Sequence, residues 1–174
     1  MAKANTRPDP IAVTTEVLKR TSIPMLGCHH AFIAAFSLLS ALKAAGLPVP
    51  HDAFEEVSQR TGAQAISGYC GLTGICGLIP SLGACLSFLV GARCGTKREQ
   101  KMVMEFNLRL LEKIYLLPAP SCCKAYMWAG LEEAVFFFSK SFSLKGLLFS
   151  KPLCEFYKDH PHGCPGRNCP YFPT

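Results

Sequence analysis

The sequence predicts a mainly α-helical protein: one compact helical domain with an irregular, metal-anchored, cysteine-rich tail at its C-terminal end. Apolar residues recur at three- and four-residue steps over long stretches, which is the period of a helix. No run alternates apolar and polar residues between turn signals, so we expect no sheet of any size. The 174 residues, 49% of them hydrophobic, suffice for one domain with its own core. We place the helical body at about residues 9–142 and the tail at about residues 150–174.

Three helices are expected in the first third of the chain. Asp9 followed by Pro10 is typical of a helix N-cap and first helical position, and predicts a helix over about 9–20. The segment 28–46 is nearly apolar all round and ends at a glycine, which predicts a central buried helix. A further helix is expected over about 52–60, ending before the next glycine.

Two long helices are expected in the second half. Thr96 with Glu99 matches a capping box, and apolar residues at helical spacing extend this helix to about residue 117. Two prolines then break it, and Ser121 is expected to cap a last helix over about 122–142.

The segment between Arg60 and Arg93 carries no charged residue and is long enough to cross a bilayer. It also contains many glycines and Pro80, and a lipid-exposed helix could not keep its backbone hydrogen-bonded through such a run. We therefore expect this segment to be buried in the helical domain, without a stable membrane span. A small membrane-associated thiol protein is the weaker alternative.

Ten cysteines are far more than packing requires. The N-terminal residues are polar and show no export signal, which predicts a cytoplasmic location where thiols stay reduced and clustered cysteines bind metals. Five disulfides in a secreted protein are the alternative. The net charge of +6 is spread along the chain, so no nucleic-acid partner is expected.

The tail carries the strongest functional signal. Cys154, Cys164 and Cys169 lie in a segment rich in proline and glycine that is too broken to form a core of its own. Three thiols with a proline after the last one are typical of cluster-binding loops, so we predict that they bind a metal. His160 or His162 could instead complete a zinc site with three cysteines. The simpler alternative is a structural metal that pins the tail.

Cys70 and Cys76 lie in a run of closely spaced glycines and are predicted to bind a cofactor. In a regular helix their α-carbons would be about 9 Å apart and their side chains about 120° apart, so they can share a ligand only if the chain loops back. Glycines permit such a loop and let backbone N–H groups approach sulfur. Close packing between helices is the alternative explanation for the small residues.

Cys122 and Cys123 are expected in the first turn of a helix, with Lys124 beside them. Free N–H groups, the helix dipole and the lysine favour thiolates, so we predict a low thiol pKa. Such a pair suits metal binding or catalysis of sulfur chemistry, whereas packing in the core is the alternative.

His29 and His30 follow Cys28 at the start of the buried helix, and both histidines are candidate cofactor-binding residues. A histidine that is merely hydrogen-bonded in the core is an equal alternative. The roles of Cys28, Cys85 and Cys94 stay open at this point.

The order of these motifs resembles an uncharacterised family of cysteine-rich domains found in anaerobic prokaryotes, sometimes attached to methyltransferase domains. The resemblance spans about residues 25–172 and covers the paired histidines, the Cys-Gly-x-x-Gly-x-Cys-Gly segment, the Cys-Cys-Lys triplet and the closing Cys-Pro-Tyr. It implies a shared cysteine and histidine site and an anaerobic setting.

The motifs together favour an iron–sulfur protein that acts in electron transfer or sulfur chemistry, with a redox or sulfur-donor protein as partner. The three tail cysteines with Cys122 or Cys123 would hold the cluster, joined by a second site at Cys70 and Cys76. An iron left open by three cysteines would make the protein an enzyme, which the sequence does not decide. A zinc-stapled interaction module without catalysis is the rival hypothesis.

Overall fold

The computed structural model describes residues 7–20, 22–120 and 122–173, and this part of the chain forms seven α-helices and no β-strand. The prediction of a mainly α-helical domain is confirmed. Two short 3₁₀ turns lie in the tail, at Tyr157–Asp159 and Gly166–Asn168. The α-helices are α1 (Pro10–Arg20), α2 (His29–Ala44), α3 (Ala53–Gln64), α4 (Tyr69–Thr73), α5 (Leu78–Val90), α6 (Lys97–Tyr115) and α7 (Cys123–Ser141).

The core is built around α5, which packs against α2, α3, α6 and α7. Both α2 and α5 are apolar on most of their circumference, so each can be buried between several neighbours. Leu38 of α2 and Leu82 of α5 have no exposed surface. The expectation that segment 28–46 forms a central buried helix is therefore confirmed.

The sequence analysis assigned no helix to the residues of α5. Pro80 lies in the first turn, where its missing N–H group would have no partner within the helix. Gly83 faces α6 so closely that an added Cβ would lie 2.4 Å from Oδ1 of Asn107. The part of the uncharged segment that forms α5 is thus core helix, whereas residues 66–75 are mostly exposed, contrary to the expected burial. A larger residue at position 83 would require the Asn107 side chain to move.

None of the helices in the described ranges combines the length and apolarity that a membrane crossing requires. The most apolar ones, α2 and α5, contain 16 and 13 residues. About 20 residues are needed to cross the hydrocarbon core of a bilayer.

Two details of the predicted helix ends are wrong. Helix α3 continues through Gly62, because a glycine inside a helix costs only about 1 kcal/mol and does not by itself end it. The Thr96 side chain does not cap α6. Its hydroxyl instead donates to the carbonyl of Arg93 at 2.8 Å and accepts from the N–H of the same residue at 2.9 Å. Ser121, the expected cap of α7, lies outside the described residues.

The tail buries more apolar surface than the sequence analysis expected. Tyr171 is buried and packs edge-on against Trp128 of α7, with ring centroids 5.3 Å apart. Its carbonyl accepts a hydrogen bond from the N–H of Cys154 at 2.8 Å. Phe156 and Tyr157 of the tail also pack against the core. The tail therefore folds back across the helical body through apolar contacts as well as through its cysteines.

Candidate metal centres

Four cysteines line one cavity of about 410 Å³. They come from separate segments of the chain: the residue before α2, helix α4, the turn before α5 and the start of α7. All four are free thiols. The charge that each of the other three would carry as a thiolate raises the pKa of Cys76, so the four thiols lie near one another. We call this set the cavity group; it consists of Cys28, Cys70, Cys76 and Cys123.

The N-terminal ends of three helices meet at the cavity. Cys28 is the N-cap of α2, Gly77 is the N-cap of α5, and Cys123 is the first residue of α7, and all three line the cavity. These helices contain 16, 13 and 19 residues, and each presents the positive end of its dipole there. The ends of these helices therefore contribute a positive potential at the cavity.

Cys70 and Cys76 reach the same cavity because the chain turns sharply on both sides of α4. Gly68 and Gly74 flank this five-residue helix in the left-handed conformation, with φ of 82° and 75°. Residues with a Cβ rarely adopt such values, so glycine is required at both turns. The chain does turn back around α4, which the two cysteines require in order to share a ligand; that they bind one cofactor stays a prediction.

His29 and His30 hold the turn that carries Cys28. Nε2 of His29 donates to the carbonyl of Pro24 at 3.1 Å, and Nδ1 of His30 donates to the carbonyl of Gly27 at 3.0 Å. The two rings pack together with centroids 4.3 Å apart. The contacts found for these nitrogens are thus with the backbone of the turn, and a cofactor-binding role for the two histidines stays a prediction.

Gly27 links this turn to the start of α7. Its N–H group donates to Sγ of Cys123 at 3.3 Å. An added Cβ on Gly27 would lie 2.6 Å from the ring of His29, and its φ of 140° also favours glycine. The segment before α2 therefore brings both a thiol and a hydrogen-bond donor to the cavity group.

Lys124 is buried behind the cavity, with 1% of its surface exposed. Its ammonium group donates to Nε2 of His30 at 3.2 Å and to the carbonyl of Pro24 at 3.4 Å, and it lies 4.7 Å from the centre of the Phe156 ring. Among the described residues, no carboxylate forms an ion pair with it. Burial lowers the pKa of Lys124, while three nearby thiols and the carboxylate of Asp159 raise it; the thiols are those of Cys122, Cys123 and Cys154.

Four other cysteines line a second, small pocket of about 20 Å³. One comes from the start of α7 and three come from the tail. Electrostatic interactions connect them, since Cys154 interacts with each of the others. The sequence analysis placed the three tail thiols together with one cysteine of the adjacent pair, and the structure shows that this partner is Cys122. We call this set the tail group; it consists of Cys122, Cys154, Cys164 and Cys169.

Backbone N–H groups are directed at every sulfur of the tail group. Sγ of Cys164 accepts from the N–H of Gly166 at 3.4 Å. Most of the donors lie two or three residues after the cysteine, as expected where the chain turns around a sulfur. The remaining donors are Lys124 and Ala125 for Cys122, Phe156 for Cys154, and Tyr171 and Phe172 for Cys169.

Cys122 and Cys123 divide between the two groups. Cys122 is the N-cap of α7 in an extended conformation, with φ of −125° and ψ of 112°, whereas Cys123 is the first helical residue. Cys122 therefore lines the tail pocket and Cys123 lines the cavity. Cys122 or Cys123 was expected beside the three tail cysteines, and Cys122 is the one that lines the tail pocket.

The low thiol pKa expected for this pair is wrong for the metal-free protein. Burial raises the pKa of both thiols, and the N–H groups aimed at them offset this effect only in part. Burial likewise raises the pKa of Cys76 to about 12. The helix start does supply the expected donors, but removal from water outweighs them. A bound metal would have to displace these protons, so metal binding should depend on pH.

The other predicted site residues lie around the two groups. His162 lines the cavity and His160 lines the tail pocket, and Nδ1 of His160 accepts from the N–H of His162 at 3.2 Å. Cys85 is buried inside α5, and Cys94 is exposed between α5 and α6. No role was assigned to Cys28. Its position at a helix start, like that of Cys123, could have identified it as a candidate ligand.

Within the described ranges, no group of three or more His, Cys, Asp or Glu side chains is arranged to hold a single metal ion. This finding concerns mononuclear sites. Around one zinc ion, sulfurs with bonds of about 2.3 Å lie about 3.8 Å apart. In a [4Fe–4S] cluster each cysteine binds a different iron, so the sulfurs are spread more widely.

A sequence model of a protein family described as a family of unknown function, DUF5714, matches residues 1–172. No curated protein and no solved structure matches the chain. The family match covers nearly the whole sequence, so the chain belongs to the DUF5714 family.

Proposed function

We propose that this member of the DUF5714 family is an iron–sulfur protein that carries single electrons, and that the tail group binds a [4Fe–4S] cluster. One observation above all supports this: four thiols from the start of α7 and from three places in the tail line one small pocket. Four cysteines are the ligand set of such a cluster. When bound, the cluster supplies one-electron chemistry.

The donor set fits the cluster in its hydrogen bonding and its charge. Each sulfur of the tail group is approached by a backbone N–H group, such as that of Gly166 at Cys164. Such bonds stabilise the charge on cluster-bound sulfur and tune the reduction potential. Cys122 lies at the N-terminal end of α7, whose dipole also favours negative charge. The nearby ammonium group of Lys124 adds a positive charge.

Electron transfer is favoured over substrate turnover at this pocket. Four thiols would leave no iron of the cluster open to a substrate. The space of about 20 Å³ between the thiols is smaller than the cluster itself, so the thiols would move apart on binding it. An external one-electron donor protein would reduce the centre and an external acceptor protein would oxidise it, with no bond to the chain made or broken. Sulfur chemistry, the other predicted activity, would need an open iron or a free thiolate.

Zinc in the tail group is the second candidate. The small size of the pocket favours it, because four cysteines around a single zinc ion form a closed structural site. The four thiols would have to draw closer together to bind it, since no group of described side chains is arranged to hold a single ion. In that case the tail would be a zinc-stapled interaction module without redox activity.

The setting of the protein stays a prediction. An anaerobic prokaryote, attachment to methyltransferase domains in some relatives, a cytoplasmic location and a redox or sulfur-donor protein as partner are all consistent with an oxygen-sensitive cluster. The resemblance supports the anaerobic setting and the methyltransferase attachment, and the composition supports the cytoplasmic location.

The proposal is tested by purifying the full chain without oxygen and measuring iron, acid-labile sulfide and zinc. We expect a brown protein that contains iron and sulfide in equal amounts and that gives an electron paramagnetic resonance (EPR) signal after reduction with dithionite. The variant C122A should lose iron, whereas C94S, which changes an exposed cysteine, should keep it. A colourless protein with stoichiometric zinc and neither iron nor sulfide would overturn the proposal in favour of the zinc module.

A further inference from the structure

We infer that the cavity group is a second cluster-binding site, separate from the tail site. The two sites are adjacent because Cys122 and Cys123 are consecutive residues. The inference rests on the proposed function for the kind of cofactor, a [4Fe–4S] cluster. The site itself is defined independently, by four thiols from four segments that line one cavity.

The shape of the cavity argues against a purely structural role for these thiols. Protein interiors are close-packed, and cysteines that act as small apolar residues fill space. The cavity instead retains about 410 Å³, within the range of small-molecule and cofactor sites. Every member of the cavity group borders this space.

Cys85 shows what a structural cysteine looks like in the same protein. It has no exposed surface, and its thiol lies 3.7 Å from the carbonyl of Ala35 and 3.6 Å from that of Ser81, within reach of two weak hydrogen bonds. It is enclosed by α2 and α5 and belongs to the packed core. The members of the cavity group, by contrast, border open space.

The charge of the surroundings suits an anionic cluster. Three helix N-termini meet at the cavity, and the N–H of Gly27 donates to Sγ of Cys123. Lys124 supplies a positive charge that interacts with Cys122, Cys123 and Cys154, and thus with both groups. Among the described residues, no carboxylate lies at ion-pair distance from this buried cation, although Asp159 is near enough to interact with it. Thiols that carry negative charge would balance the cation further.

The adjacent cysteines fix how close the two centres are. Consecutive α-carbons lie about 3.8 Å apart, and the change from an extended residue to a helical one directs one side chain to each site. Two clusters bound there would be near enough for one electron to pass between them and for their unpaired spins to interact.

The experiment compares C70A, C164A and the double variant with wild-type protein, all purified without oxygen as full chains. Cys70 lies on the short helix α4 outside the core, so its replacement should not prevent folding; circular dichroism checks helix content, and C28A provides a second cavity variant from another segment. We expect about eight irons in the wild-type protein, about four in each single variant and none in the double variant. Dithionite-reduced wild-type protein should show an EPR spectrum broadened by interacting spins, and each single variant the spectrum of an isolated cluster.

The outcomes separate the two proposals. Four irons in both wild-type and C70A protein, with none in C164A, would overturn the second site and leave the proposed tail cluster intact. If C70A and C28A lose iron while C164A keeps as much as the wild-type protein, the cavity site is supported and the tail cluster is overturned. Zinc without iron in every protein would overturn both.

Discussion

The ammonium group of Lys124 donates a hydrogen bond to Nε2 of His30 at 3.2 Å, inside the protein and between two sets of four thiols. Because Nδ1 of His30 donates to the carbonyl of Gly27, its Nε2 is free to accept from a charged lysine. Burial, with the nearby charge of Lys124, lowers the pKa of His30 to about 4, so the ring is neutral at physiological pH. A neutral histidine thus holds a buried cation in place without cancelling its charge.

Because Lys124 keeps a positive charge near both groups of thiols, we expect it to raise the reduction potential of the proposed clusters. The variant K124M keeps a side chain of similar length but removes the charge that stabilises an added electron. We expect the potential to fall by about 60 mV or more, which is a tenfold change in the one-electron equilibrium. Redox titration followed by EPR measures it. K140M, which changes an exposed lysine of the same helix, is the control, and equal potentials in both variants at full iron content would contradict the prediction.

Two glycines of the cavity wall should differ sharply in their tolerance of alanine. A Cβ on Gly77 would lie 2.9 Å from Cα of Ala65, whereas a Cβ on Gly71 would meet nothing within 4 Å. We expect G77A to lose about 1–3 kcal/mol of stability and the iron of the cavity site. G71A should be neutral, or stabilised by up to about 1 kcal/mol. Urea unfolding of the metal-free proteins measures this, and equal stabilities of the two variants would show that the wall is not tightly packed at Gly77.

Thiol alkylation should distinguish Cys85 from Cys94 in the folded, metal-free protein. Cys94 is exposed and should react first, while burial raises the pKa of Cys85 and shields it, so it should react last. A raised folded pKa stabilises the fold below the unfolded value of about 9, and this contribution is lost as pH rises further. Wild-type protein should therefore lose stability above about pH 9 more steeply than C85V, by up to about 1.4 kcal/mol per pH unit. Mass spectrometry of alkylated peptides and unfolding curves at several pH values provide the measurements.

Order in the tail should depend on metal in spite of its apolar anchors. Lys158 and Arg167 are exposed trypsin sites close to the cysteines of the tail group. We expect the loaded protein to resist trypsin there and the C164S variant to be cut, while the helical body persists, because most of the tail has no regular structure of its own. C94S should behave like wild-type protein. A metal-free protein whose tail resists trypsin would mean that the contact between Tyr171 and Trp128 is sufficient to hold it.

Periodicity predicted the helices well where one face is polar, as in α6, or where capping residues mark the start, as in α1. It did not assign α5, because that helix is apolar on nearly all sides and contains Pro80 and Gly83, which appear in sequence as breakers. Only the packed neighbours explain them: the proline lies in the first turn, and the glycine faces Asn107.

The candidate site could be predicted in composition but not in grouping. The thiols of both groups except Cys28 were candidates from their motifs. Which of them share a pocket depends on the chain reversals at Gly68 and Gly74 and on the backbone change between Cys122 and Cys123. The sequence shows only that a turn is possible at the glycines, not that one forms. The thiol pKa was predicted in the wrong direction because burial depends on the whole fold, whereas the donors at a helix start are local.

The position of Trp128 gives the protein a built-in optical reporter. It is the single tryptophan of the chain, and it borders the tail pocket. Iron–sulfur clusters absorb broadly and quench nearby indole emission by energy transfer, an effect that falls steeply with distance. Fluorescence should therefore respond most strongly to filling of the tail pocket, while visible absorbance counts every cluster. Recording both during reconstitution would show the order in which the two centres are filled, without any added label.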